Sequence, residues 1–76
     1  MTTAELIIFI DDNTPSWVKV KPSRGRTTEH FFRGSKKGGH IIRHRVTDFK
    51  HEEEGISWDQ MRLKWKRTSW TLLEIL

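Results

Sequence analysis

The chain contains no cysteine and no tyrosine, only two prolines, and no apolar run longer than five residues. Without cysteine there is no disulfide staple, no thiolate zinc site and no thiol nucleophile. The apolar run at residues 6–10 is far short of the roughly 20 residues that cross a bilayer. It follows Glu5 rather than a basic leader, so it does not read as a signal peptide, and a cytoplasmic location is expected. With 76 residues, the chain is expected to form one small domain spanning 1–76. A domain of that size buries only about 60% of the surface its unfolded chain exposes, so its stability rests on few contacts. Apolar residues make up 34% and charged residues 32%, and four Trp and four Phe supply the bulky pieces of a core.

Charge is unevenly spread. Between residues 17 and 47 stand Lys19, Lys21, Arg24, Arg26, Arg33, Lys36, Lys37, Arg43 and Arg45, opposed by Glu29 alone. Residues 60–70 add Arg62, Lys64, Lys66 and Arg67 without an acid. The carboxylates gather at Asp11-Asp12 and in the stretch from Asp48 through Glu52-Glu53-Glu54 to Asp59. Such segregation suits a polyanion or an acidic protein surface as partner.

The clearest local signal is residues 27–46. Two runs rich in aromatic and β-branched residues flank Gly34-Ser35-Lys36-Lys37-Gly38-Gly39, which predicts a β-hairpin with a cationic tip. Residues 5–10 (ELIIFI) read as a buried strand, and residues 11–16 as a turn. In residues 17–21, Val18 and Val20 alternate with Trp17, Lys19 and Lys21, which predicts a second strand ended by Pro22. Residues 47–55 are polar and read as a loop or one helical turn anchored by Phe49.

The last third supports two readings. Ser57-Trp58-Asp59-Gln60 has the form of a helix capping box, with Ile56 and Met61 placed as a staple. Against it, residues 61–66 alternate apolar and basic as a half-buried strand does. A three-residue loop at 67–69 would then pair Met61 with Ile75, Leu63 with Leu73 and Trp65 with Thr71. The strand is the preferred expectation. The predicted fold is therefore mainly β, a small antiparallel five- to six-stranded SH3- or OB-like barrel or curled sheet. The alternative is α+β with a helix over 58–67. The predicted core is Leu6, Ile8, Ile10, Val18, Val20, Phe31, Ile42, Val46, Leu63, Trp65 and Leu73.

Functional signals are read against their ordinary explanations. Lysines on edge strands deter aggregation, but that does not account for the density of arginine in the hairpin arms. The expected function is a non-enzymatic nucleic-acid-binding module for DNA or RNA. Its phosphate contacts are Lys19, Lys21, Arg24, Arg26, Arg33, Lys36, Lys37, Arg43 and Arg45, with Trp17 as a stacking platform and Trp70 equally suited to it. Trp58 and Trp65 are read as core. The glycine-rich tip is not a Walker loop, because its lysines precede its final glycines. No nucleophile elbow is present, so no catalytic residue and no small-molecule substrate are assigned.

His40 and His44, four apart on a strand, stand about 13 Å apart and cannot share a metal. His30 can approach His44 across the hairpin, but no third ligand is evident, so no metal or cofactor is expected. The alternative function is a small adaptor or inhibitor that docks on an acidic surface or a sheet edge of a protein partner. The Glu52-Glu53-Glu54 triplet also suggests a homodimer in which it meets the basic face of a second copy.

Overall fold

In the computed structural model, residues 1–24 and 28–76 are described, with the side chains of all of these but Thr28, Ser35, Lys36 and His40. The first element begins at Thr2, whose hydroxyl accepts from the Glu5 backbone N–H while the Glu5 carboxylate accepts from the Thr2 N–H. This capping box opens helix α1 (Thr3–Asp12). Residues 5–10 are thus helical, not a strand. Their β-branched content favours a strand only weakly, and the T-x-x-E signal at residues 2–5 outweighs it. In the helix Leu6, Ile7 and Ile10 turn inward and are fully buried, while Ile8 points to solvent.

Among the described residues, five antiparallel strands follow in one sheet of order β4-β3-β2-β1-β5. They are β1 (Val18–Pro22), β2 (Thr28–Ser35), β3 (His40–Thr47), β4 (Lys50–Ser57) and β5 (Trp70–Ile75). The mainly β antiparallel expectation holds, but the sheet stays open and does not close into a barrel. The hairpin at the centre of the sequence is β2–β3, with a short 3₁₀ turn at Lys36–Gly38. At Gly34 the strands approach so closely that an added Cβ would lie 2.8 Å from the Ile41 Cα.

Two further expectations are corrected. Residues 50–55 belong to strand β4, not to a loop. Their polar side chains are matched one to one across the ladder: Arg43 opposite Glu54, His44 opposite Glu53, Arg45 opposite Glu52. The turn before β4 has positive φ at both Asp48 (48°) and Phe49 (67°), and Phe49 is 97% exposed rather than an anchor. Residues 58–64 form helix α2 (Trp58–Lys64), not a strand, because Ser57 and Gln60 close a second capping box. Without a strand at 61–66, β5 pairs with β1 instead, Val20 opposite Leu72 and Pro22 opposite Trp70.

Both helices cover the same face of the sheet. The core between them is Leu6, Ile7, Ile10, Val18, Val20, Phe32, Ile41, Ile56, Trp58, Met61 and Trp70. Of the predicted core, Leu6, Ile10, Val18 and Val20 are in it. Ile8, Leu63 and Leu73 are exposed, and Phe31, Ile42, Val46 and Trp65 are only half-buried. The hairpin turns its other set of side chains inward, because Phe32 and Ile41 share a face with Val18 and Val20. No helix among the described residues is long and apolar enough to cross a membrane.

Two substitutions test this architecture. A turn with positive φ at both central residues favours Asn-Gly, so Asp48→Asn with Phe49→Gly should raise stability by about 1 kcal/mol, since each such non-Gly residue costs of order 1–3 kcal/mol. Gly34→Ala drives a methyl into the backbone of β3 and should lower stability by about 1–3 kcal/mol. Urea midpoints measure both, and a neutral Gly34→Ala would contradict the close strand approach.

Candidate nucleic-acid interface

Residue alternation divides the predicted contact residues between two faces. Arg43 and Arg45 point toward the helix-covered face. Trp17, Lys19, Lys21 and Arg33 belong to the open one, and Lys37 is exposed at the hairpin tip. The structure does not bring these residues together in one surface. Arg26 lies outside the described residues, as does the Lys36 side chain.

On the helix-covered side, beyond the apolar core, the C-terminal turn of α2 leaves the sheet. Two adjoining clefts open there. The inner one, of about 270 Å³, lies between Pro22, Arg24, His30, Arg43 and Arg45 of the sheet region and Lys64, Trp65 and Thr68. The outer one, of about 400 Å³, is lined by Arg24, Leu63, Lys64, Lys66, Arg67 and Thr68. No carboxylate lines either cleft among the described residues. The larger depression between β4 and α2, about 550 Å³, mixes Glu54 with Lys64 and shows no such convergence of one sign.

Arg43 forms the floor of the inner cleft and is 96% buried, its side chain only 4% exposed. A guanidinium at that depth needs a counter-charge, and Glu54 on the neighbouring strand provides it. Its planar group also lies 5.1 Å from the centre of the Trp65 ring, and Lys64 sits at the same distance. Arg45 pairs with Glu52, whose carboxyl is held below its usual range mainly by that hydrogen bond. Trp65 packs edge-on against Phe32 and Trp70, and Trp70 donates its indole N–H to the Thr3 hydroxyl at 2.9 Å. Trp70 is therefore core, not a stacking platform, because β5 pairs with β1 and turns it under α1.

His30 stacks against Phe32 at 6.0 Å and meets Trp65 and Trp70 edge-on. Burial pushes its pKa down to about 4, and the charges of Arg43, Arg45 and Lys64 push the same way. Its ring is therefore neutral at physiological pH. His30 Nδ1 and Arg43 Nε are buried without a hydrogen-bond partner among the described residues.

On the open face, Trp17 carries the Arg33 guanidinium 4.6 Å from its ring centre, and Lys19 pairs with Glu29 and lies over Phe31. Lys21 is exposed there. The acidic triplet is engaged within the chain, by Arg45, His44 and Arg43. The clefts also take in Lys64, Lys66 and Arg67, whose place beside Arg24 the sequence did not show. They belong to a basic run noted there, but reading it as a strand hid their convergence with Arg24.

His30 makes a pH test possible. The unfolded chain takes up its proton near pH 6.5 and the folded one only near 4. Between those values the unfolded state binds more protons, so stability is fully present above about pH 6.5 and falls as pH drops toward 4. His30→Gln should flatten this part of the profile, measured as urea midpoints from pH 4 to 7.5. A variant that parallels the wild type would show that the acid sensitivity lies elsewhere.

No protein-family model matches this chain, and neither a curated protein nor a solved structure matches it.

Proposed function

We propose that this chain is a non-enzymatic nucleic-acid-binding module that holds the phosphate backbone of DNA or RNA in its twin basic clefts. The observation that carries this reading is the convergence of Arg24, Lys64, Lys66 and Arg67 over Arg43 and Arg45, with no carboxylate in the lining among the described residues. Lysine and arginine gain affinity for phosphates largely by releasing condensed counterions, which needs a concentrated field rather than a specific pocket. His30 and Arg43 form part of the inner cleft's lining beneath these cations. Trp65, half-buried, stands in the wall of the inner cleft, where an aromatic side chain suits contact with a base. Binding of this kind is weakly sequence-specific, with affinities on the order of 10⁻⁴–10⁻⁶ M at physiological salt. We place this activity in the cytoplasm.

A second reading has its own observation. The outer strand β5 has β1 as its strand neighbour among the described residues, and on its other side Met1 bonds both backbone groups of Trp70. The strand exposes Leu72, Leu73 and Ile75, followed by Leu76. The opposite edge, β4, is guarded by Lys50, His51 and three glutamates. Beyond Trp70, the apolar β5 edge suits an adaptor that takes an extended strand from a protein partner.

Salt separates the two. Binding of single-stranded and duplex DNA and RNA, read by tryptophan fluorescence, should weaken log-linearly with salt. Lys64→Ala with Arg67→Ala should reduce that slope by about two, one per lost phosphate contact. Lys19→Ala with Arg33→Ala, on the open face, should leave it unchanged. If the open-face pair carries the slope instead, the cleft is not the interface. Absence of binding at low salt would overturn the nucleic-acid reading and leave the β5 edge.

A further inference from the structure

The open face carries a second cluster that phosphate binding does not use. Trp17, Phe31, His44, Val46, His51 and Glu53 line a groove of about 430 Å³ there. His44 stands at its centre, with Phe31 and Trp17 edge-on at 5.8 and 6.3 Å between ring centres. Across the β3–β4 ladder its Nε2 is 3.1 Å from His51 Nδ1, and its Nδ1 is 3.3 Å from a Glu53 carboxylate oxygen.

That arrangement has a specific chemical meaning. Two imidazole nitrogens bound to one metal at about 2.0–2.1 Å stand about 2.9–3.4 Å apart, whether the geometry is octahedral or tetrahedral. The separation of His44 Nε2 from His51 Nδ1 falls inside that interval. A carboxylate on the remote nitrogen of a ligating histidine is the usual outer-shell arrangement. It keeps the proton on Nδ1 and turns the Nε2 lone pair toward the metal. Glu53 holds that position on His44. His51 is exposed, so its proton can move from Nδ1 to Nε2 through solvent, which frees the second lone pair without a change in charge.

We infer that His44 Nε2 and His51 Nδ1 form a two-histidine site for a late first-row divalent metal ion, with Glu53 as its outer-shell acceptor. Imidazole ligands and the general affinity order favour copper, nickel and zinc over manganese or magnesium. Among the described residues no group of three or more His, Cys, Asp or Glu side chains is arranged to hold a metal. The remaining positions therefore belong to water, which makes this an open, exchangeable site and not a closed structural one. The inference is independent of the nucleic-acid reading, since it uses other residues on the opposite face.

The test is a titration of the purified chain with Ni²⁺ and Cu²⁺ followed by Trp17 fluorescence, and with Zn²⁺ by calorimetry. Saturable 1:1 binding is expected, with partial quenching because only one of the four tryptophans is close to His44. Trp17→Phe should abolish the quenching and keep the calorimetric binding. His51→Asn changes an exposed side chain and should abolish saturable binding while the fold, followed by circular dichroism, is kept. Glu53→Gln should weaken affinity roughly 10- to 100-fold. Zinc should raise the melting temperature of the wild type and not of His51→Asn, because a ligand of the native pair alone stabilises it. Binding that survives both His51→Asn and His44→Asn, or no saturable binding in the wild type, would overturn the assignment. The close nitrogens would then share only a proton.

Discussion

A single buried guanidinium sets the terms for much of this fold. Arg43 sits in the middle of the sheet on the face the helices cover, and an unpaired charge at that depth would cost several kcal/mol. The chain meets that constraint by placing Glu54 directly opposite it, which fixes the register of β4 on β3. A slip of one residue would turn Glu54 to the other face and carry Ile56 away from Ile41. The same guanidinium lies over Trp65, so it also supports the turn where α2 leaves the sheet. His30, a neighbour on β2, loses its proton partly because Arg43 is there. Register, helix docking and local electrostatics thus depend on one residue.

This arrangement explains why the cleft can be cationic at modest cost. The cations deepest in it are those already neutralised, Arg43 by Glu54 and Arg45 by Glu52. The ones added at the rim, Arg24, Lys66 and Arg67, are exposed, and water screens their mutual repulsion. The glutamates that balance the inner pair stand on the edge strand, outside the cleft lining. A polyanion would therefore meet a surface whose positive charges converge and whose negative charges are turned aside.

Much of this was legible in the sequence where local chemistry is decisive. The β2–β3 hairpin, the strand expected at residues 17–21 and found at Val18–Pro22, and the segregation of charge follow directly from residue order. The errors have two causes: a local helix cap outweighs a strand-like pattern, or long-range partners decide what local pattern leaves open. Residues 5–10 look like a strand until Thr2 and Glu5 are read as a cap. Residues 61–66 alternate like a strand, yet Ser57 and Gln60 start a helix, and Leu63 and Lys64 simply end it in solvent. β4 was hidden because its turn, Asp48-Phe49, lacks the glycine that announces such a turn, and because glutamates read as solvated until their partners on β3 are known. The face of the hairpin that turns inward was equally hidden, since Phe31 and Phe32 are chemically alike and only the helices choose between them.

The alternation that made the faces hard to assign also gives this small sheet two independent surfaces. His44 lies between Arg43 and Arg45 on β3, and its side chain emerges into the groove while theirs reach the cleft. The β3–β4 ladder is common to both, because Glu52, Glu53 and Glu54 serve Arg45, His44 and Arg43 in turn. A metal ion bridging His44 and His51 would stabilise only the native register of that ladder, the register that keeps Glu54 on Arg43. Occupancy on one face would thus stiffen the floor of the other without any residue crossing the sheet. Linkage requires the converse as well, so an anion that loosened the Arg43–Glu54 pair would weaken the metal site by the same factor.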